Sequence, residues 1–457
     1  VQKETEETTH YQRSLDYLFG LQRFGIKLGL ANITALLRKL GDPHAGLRAV
    51  HIAGSNGKGS TAAFLTSILR QAGYRVGLFT SPHLIDFAER IQVNGVPISQ
   101  ERVVWLTDRV REGVREMEKS GELWPGSSLS SLPEDFDPEK ATLTFFEFTT
   151  AMAFAYFKEE RVDLAVLETG MGGRLDATNV IDPLLALISP ICLEHQQYLG
   201  KTLLQVAGEK AGIIKPGRPL LTTVRQPRVR ALLQKKCGEV QAPFYVHGRD
   251  FRGKKTEPGF MDFCGRSHRW KDLSLGLAGS HQVLNASLAL AAVEMLMEMG
   301  FPLKEEHLRK GLAETRWPGR LERVGDSPPV LLDGAHNPGA TRILKRALEE
   351  EFSPRRLILV MGIMGDKEIP KMMSNLLPLA DLLVLTRPHM ERAAPLELLR
   401  KHASPWKKPT LEFPDVGVAL ERAMGEAGKE DLVVVTGSLY TVGEARGHLI
   451  RKGLIPD

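Results

Sequence analysis

Seven consecutive residues carry the densest chemistry in this chain: Gly54-Ser55-Asn56-Gly57-Lys58-Gly59-Ser60. An apolar run of β character, Ala49-Val50-His51-Ile52-Ala53, precedes them. A helical pattern opens at Ser60, with Ala62, Leu65, Ile68 and Leu69 on one face. Strand, glycine-rich turn and helix make the frame of a phosphate-binding loop. Glycines let backbone amides close on a polyphosphate, the helix N-terminus adds positive potential, and Lys58 adds a point charge. The spacing departs from G-x-x-x-x-G-K-[ST], which needs glycine at Ile52 and a hydroxyl directly after the lysine; here Gly59 comes before Ser60. The expectation is binding of a nucleoside triphosphate, against the plainer alternative of a structural glycine turn.

A bound triphosphate brings Mg2+, which takes oxygen ligands. Ser81, in Thr80-Ser81-Pro82-His83-Leu84 after a strand Arg75–Phe79, is one candidate; its plainer role is to start a turn. Glu168, at the end of a strand Leu164–Leu167, is another; alone it is only a strand end. The run from Glu168 to Asn179 contains Gly170, Gly172 and Gly173 and several polar side chains. It could hold an anionic or heterocyclic substrate, or simply be a crossover loop. His195 follows a further strand, Leu184–Ile188. Histidine is an unusual ligand for a hard cation, so its own chemistry leaves a capping or core role equally open. In Glu209-Lys210-Ala211-Gly212-Ile213-Ile214-Lys215 the lysines read as surface charges at a helix end.

The elements that must position these groups alternate. Residues 11–41 read as helical, ending near Gly41-Asp42-Pro43. Val103, Leu106, Val110, Val114 and Met117 mark a helix, Ser120–Lys140 a surface loop, and Thr144–Lys158 another helix. Strands alternating with helices imply a parallel sheet, with ligands at the C-terminal ends of its strands. Glu168 and His195 should therefore converge with the phosphate loop. Residues 240–275, with Phe244, Tyr245, Phe251, Phe263 and Trp270, read as a small antiparallel appendage, followed by a helix Val283–Met299. Trp317-Pro318-Gly319-Arg320 reads as a hinge. The alternation then restarts with strands Val330–Leu332, Leu357–Val360, Leu382–Leu385 and Leu432–Val435. The fold class is α/β: an N-terminal P-loop ATPase-type parallel-sheet domain (1–315) carrying the appendage, a linker (316–319), and a C-terminal Rossmann-like α/β domain (320–457). Asp333-Gly334-Ala335-His336-Asn337-Pro338 and Thr436-Gly437-Ser438-Leu439-Tyr440 end strands of the second domain and fit a half-site facing the first.

At 457 residues, roughly two or three domains fit the length. The net charge of +5 is mild and its lysines and arginines are scattered, which argues against nucleic acid as a partner. No stretch is long and apolar enough for a membrane span, and the first residues lack the apolar core of a signal peptide. The three cysteines, Cys192, Cys237 and Cys264, are unpatterned, which suggests a reducing compartment and neither disulfides nor zinc. A cytoplasmic protein is expected.

G-S-N-G-K-G-S, T-S-P-H-L, L-E-T-G-M-G-G-R-L-D-A-T-N, E-K-A-G-I-I-K, L-D-G-A-H-N-P and T-G-S-L-Y occur here in that order. The order resembles the folylpolyglutamate synthase/dihydrofolate synthase family of Mur-type ATP-dependent amide ligases, from Gly29-Leu30 to Tyr440. The resemblance implies ATP held by Gly54, Asn56, Gly57, Lys58, Gly59 and Ser60, with Asn285 and Arg320. It implies two Mg2+ ions, one on Ser81 and Glu168 and a second held in part by His195. Lys210 would take up carbon dioxide as a carbamate, since an ammonium repels a metal whereas a carbamate is an anionic oxygen ligand. Lys58, Glu168, His195 and Lys210 would then be the catalytic set. Asp333, His336 and Ser438 would bind L-glutamate. Gly173, Arg174, Asp176 and Ala177 would help seat the pterin of dihydropteroate or a reduced folate. A monomer is the family expectation. Two departures stand out: Ala53 and Ser55 replace the family's usual threonines, and Glu194-His195 replaces an aspartate–histidine pair.

The implied reaction transfers the γ-phosphate of ATP to a carboxylate, and the glutamate amine then displaces phosphate. G-G-R-L-D-A-T-N resembles the bifunctional members, which add the first glutamate and also extend the chain, more than the extension-only ones. Three rivals stay open: an extension-only enzyme or a Mur-type cell-wall ligase, an ATP-hydrolysing accessory protein, and a binding protein without catalysis.

Overall fold

The computed structural model describes residues 2–25, 27–122 and 143–456. Beyond Glu122, the loop expected over Ser120–Lys140 lies outside the described residues.

Eight strands form the first sheet: β1 (Ala49–Ala53), β2 (Val76–Phe79), β3 (Ile91–Val93), β4 (Val96–Pro97), β5 (Leu164–Glu168), β6 (Leu185–Ile188), β7 (Leu220–Thr222) and β8 (Phe244–Val246). Their order is β4-β3-β2-β5-β1-β6-β7-β8, with the phosphate-loop strand β1 between β5 and β6. From β2 to β8 the pairing is parallel; β3 and β4 add an antiparallel edge. The strands that carry the site are buried along their whole length. Alternate residues feed opposite faces: Val50, Ile52, Leu164 and Val166 pack on one core, Ala165 and Leu167 on the other.

A three-stranded antiparallel sheet follows, β9 (Arg252–Lys255), β10 (Phe260–Cys264) and β11 (Arg269–Ser274). The appendage is therefore smaller than 240–275. Phe244 and Tyr245 sit in β8, paired in parallel with β7, because three apolar residues at the sheet edge find their partner in a distant strand rather than a local hairpin.

The last sheet contains β12 (Glu322–Val324), β13 (Val330–Leu332), β14 (Leu357–Met361), β15 (Leu382–Thr386), β16 (Thr410–Phe413) and β17 (Leu432–Thr436), in the order β12-β13-β17-β14-β15-β16. Only the β12–β13 pair is antiparallel. Leu432 and Val434 face one core, Val433 and Val435 the other.

Other elements refine the expected ones. The helix over 11–41 is two helices, Gln2–Gly20 and Ala31–Lys39, because Gly25 turns the chain at φ +65. The helix after the phosphate loop begins at Lys58, not Ser60. Among the described residues no helix is long and apolar enough to cross a membrane.

Candidate active site

The turn after β1 takes a shape that only glycine allows. Gly54 has φ +151, and a Cβ there would fall on Ser189 Oγ. Gly57 has φ +85, and a Cβ there would overlap Asn285 Oδ1. Gly57 is the N-cap of the helix Lys58–Gln71, and no side chain caps that end. The first amides of the helix are thus left for an anion. Ser55 Oγ donates to Cys192 O at 3.1 Å and accepts from Cys192 N at 3.0 Å, so the loop is tied to the segment after β6. The hydroxyl retained at position 55 does this work.

Lys58 Nζ donates to Gly54 O at 3.1 Å and lies 3.6 Å from the Glu168 carboxylate. Glu168 ends β5 and is buried. Burial raises its pKa, while Lys58, Arg320 and a hydrogen bond from the Ser81 amide work in the opposite direction. Glu168 and Ser81, expected as partners, are therefore adjacent. A carboxylate and a hydroxyl beside a phosphate loop fit Mg2+, with phosphate and water oxygens completing its shell. Among the described residues no cluster of three or more His, Cys, Asp or Glu is placed to hold a metal ion.

Lys210 is not a surface lysine. It projects from the helix Leu203–Ala211, is 1 % exposed, and reaches Gly54 O at 2.8 Å and Glu194 Oε1 at 2.6 Å. Burial lowers its pKa, against the pull of Glu194. Burial works to raise the Glu194 pKa, but the Lys210 and Lys58 charges outweigh it and hold that carboxyl at about 2. Glu194 thus faces Lys210 first. His195 sits in the left-handed region at φ 44, at the start of the short helix Gln196–Leu199, and burial lowers its pKa.

The last sheet closes the cleft. Asn337 Nδ2 donates to Asn56 Oδ1 at 2.9 Å, joining the C-terminal half to the phosphate loop. Asp333 follows β13 and is buried; its carboxylate accepts from Leu321 N and Ala335 N, each at 3.0 Å. His336 Nδ1 lies 2.8 Å from Gly334 O. A carbonyl can only accept, so Nδ1 carries the proton and Nε2 is left as an acceptor. Burial pushes this imidazole down to about 4. Arg320 lines the same cleft, as does Asn285, whose amide donates to Gln282 Oε1 at 2.8 Å.

The cleft is open to solvent. The expected ATP and metal residues all line it, with Asp333 and His336. Five expected residues do not. Ser438 is buried as the N-cap of the helix Leu439–Arg451, accepting from Thr441 N at 3.0 Å. Arg174 turns to Glu209, at 2.9 Å. Gly173 lies flat on the Lys210 helix, where a Cβ would stand 2.9 Å from two carbonyl oxygens. Asp176 is buried and accepts from Met171 N at 2.8 Å and Thr178 Oγ1 at 2.5 Å; Ala177 is buried beside it. These four shape the loop, and Thr169, Gly170, Met171 and Gly172 present it to the cleft.

Sequence reasoning missed one residue that lines the cleft, His281, and the contact that Trp317 of the hinge makes with the loop after β1. His281, at the start of the helix Gln282–Glu298, is pushed down to about 4 by burial, and its Nδ1 has no partner. Trp317 brings its indole against Gly59, where a Cβ would stand 2.9 Å from the ring nitrogen. A histidine within four residues of a suspected ATP contact, and a lone tryptophan in a linker, were the available signals.

Residues 319–439 match the Mur ligase, glutamate ligase domain family. The chain is 36% identical over 447 residues to the dihydrofolate synthase/folylpolyglutamate synthase of Bacillus subtilis, covering 96% of this chain and 99% of that protein. The crystal structure of folylpolyglutamate synthase from Thermotoga maritima superposes with a TM-score of 0.82 at 34% identity, covering 98% of both chains. The Mycobacterium tuberculosis folylpolyglutamate synthase complexed with ADP gives 0.88 at 32% identity, covering 96% of this chain and 98% of that one.

Proposed function

The chain belongs to the dihydrofolate synthase/folylpolyglutamate synthase family, and from that premise we propose that it joins L-glutamate both to dihydropteroate and to reduced folates. It is an ATP-dependent, amide-forming ligase of folate metabolism. The observation that carries the reading is the convergence of two sheet ends on one cleft. Lys58 and Glu168 come from the first sheet, Arg320, Asp333 and His336 from the last.

A carboxylate is a poor electrophile, so it must be activated. Lys58 and the uncapped amides of its helix hold the triphosphate and stabilise charge as the γ-phosphoryl group moves to the substrate carboxylate. Glu168 and Ser81 would hold one Mg2+. His195 and a carbamate on Lys210 would hold a second. When bound, these ions neutralise phosphate charge. Carbamate formation joins the neutral lysine amine to carbon dioxide and releases one proton. The lowered Lys210 pKa favours that neutral amine, and Glu194 is the carboxylate next to it. His336, with Nε2 as acceptor, orients the glutamate ammonium, and Arg320 offers positive charge to phosphate or carboxylate. The amine adds to the acyl phosphate, a tetrahedral intermediate forms, and phosphate leaves.

The division 1–315, 316–319 and 320–457 is supported by the sheets, since β1 to β11 lie before it and β12 to β17 after it. The 173–177 loop seats the pterin indirectly, through the backbone it shapes, and Ser438 acts through the helix it caps. We read the protein as a cytoplasmic monomer; three unpaired cysteines fit a reducing compartment.

The test is product analysis with ATP, Mg2+ and L-glutamate, comparing dihydropteroate with tetrahydrofolate. Glutamylation of both is expected. Glutamylation of one alone would remove bifunctionality, and of neither would remove the folate ligase.

A further inference from the structure

The Thr80-Ser81-Pro82-His83-Leu84 segment has more to do than offer Ser81. Leu84 belongs to the loop after β2, in the first sheet, yet its side chain packs on the core of the C-terminal half that contains Val442, Ala445 and Leu449. A glycine of the linker and one of that half receive it. A Cβ at Gly319 would stand 3.3 Å from both Leu84 methyl carbons, and a Cβ at Gly443 would overlap the Leu84 carbonyl oxygen. Gly443 has ordinary helical surroundings, so close approach and not a special φ demands glycine there.

The loop cannot retreat to make room. The Glu89 carboxylate accepts from Leu84 N at 2.6 Å, Ile85 N at 2.8 Å and Asp86 N at 2.8 Å. The Asp86 carboxylate in turn accepts from Tyr11 Oη at 2.8 Å and Ala88 N at 2.7 Å. Leu84 is thus mounted rigidly on the N-terminal half. Both sides of the contact are also within reach of the cleft. Ser81 lies three residues before Leu84, and Leu439, which lines the cleft, lies one helical turn before Gly443.

We propose that Leu84 is a docking peg and Gly319, Val442 and Gly443 its socket, and that this contact positions the C-terminal half so that the glutamate amine, and not water, meets the acyl phosphate. The proposal rests on the ligase reading. The two fates of the intermediate differ only in the nucleophile. Glutamate nitrogen adds to the acyl carbon, the carbon–oxygen bond to phosphate breaks, and amide, phosphate and a proton result. If water adds instead, the carboxylate is regenerated with phosphate and a proton, and ATP is consumed without product. Leu84 and Gly443 are positioning residues, and their signature is the ratio of ADP to amide.

ADP and amide are measured in the same samples, with ATP, Mg2+, L-glutamate and the pterin that the wild type uses, and AMPPCP affinity is measured in parallel. The variants are Leu84→Ala, which removes the peg, and Gly443→Ala, which fills the socket. Gly447→Ala, one turn further on, is the control: its Cβ would meet Arg451 Nη1 at 3.4 Å and Ile85 at 4.0 Å, which is ordinary contact. The wild type and Gly447→Ala should give a ratio of about one. Leu84→Ala and Gly443→Ala should raise it above about two, with the Michaelis constant for glutamate raised and AMPPCP affinity within about twofold of wild type. A wild-type ratio in Leu84→Ala overturns the peg, even if Gly443→Ala fails to fold, because Leu84→Ala removes only a partly exposed side chain. ADP without amide from the wild type itself sinks the ligase reading, and the peg with it.

Discussion

The loops after β1 and β13 look alike on paper: each leaves a buried parallel strand and opens a helix facing the cleft. They use their polar groups differently. The β1 loop leaves its helix N-terminus uncapped and points Lys58 at the cleft. The β13 loop engages its own groups. Asp333 holds two backbone amides, and Asn337 caps the helix Pro338–Ala347, accepting from Ala340 N at 2.9 Å. The first loop is built to meet a ligand's charge, the second to hold a shape from which His336 reaches in. Chemistry on the N-terminal side should thus be separable from stability, and on the C-terminal side it should not.

The largest break in that comparison is Lys58→Ala. It should cut glutamate-dependent ADP release by about 10³-fold or more while leaving the melting temperature near wild type. Lys210→Ala comes next. It should abolish most activity, with partial return in acetate, which can supply a carboxylate in place of the carbamate. Full activity without acetate would remove the carbamate. Asp333→Ala should act on both axes. Two buried amides lose their acceptor, at a cost of about 2–4 kcal/mol in denaturant unfolding, and activity should fall with stability. An unchanged unfolding midpoint would put Asp333 on the ligand instead. Asn337→Ala should cost about 1 kcal/mol through the lost cap, and a further loss of activity through the lost Asn56 contact.

A pH profile sharpens what the two halves share. Burial holds His51 near 3 and both His281 and His336 near 4, against an ordinary value of 6.5. Below pH 6.5 the unfolded chain binds protons that the folded chain refuses, so stability falls as pH drops from 6.5 toward 4. Glu194, held at about 2, adds a loss of the same sign below 4.5. The melting temperature should therefore fall steadily below pH 6.5; a flat profile would contradict neutral burial of these imidazoles.

What was legible in the sequence follows the same divide. That the glycine-rich loop, Ser81 and Glu168 meet at one cleft was readable because strand, glycine turn and strand end act through local geometry. The two-sheet plan was readable because apolar runs alternate with helical patterns. The β3–β4 hairpin was readable but missed: Asn94-Gly95, at φ 55 and φ 74, is a turn signal between Ile91–Val93 and Val96. Lys210 gave no local sign of burial, since its neighbours Gly54 and Glu194 come from the loops after β1 and β6. The inward turn of Asp176 and the capping role of Ser438 depend on tertiary packing, which a motif does not carry.

The most direct test is ADP release at saturating ATP, Mg2+ and pterin, with and without L-glutamate. A composite site predicts turnover that requires glutamate and yields one amide for each ADP. Equal ADP release without glutamate would contradict it, leaving an ATPase confined to the N-terminal half.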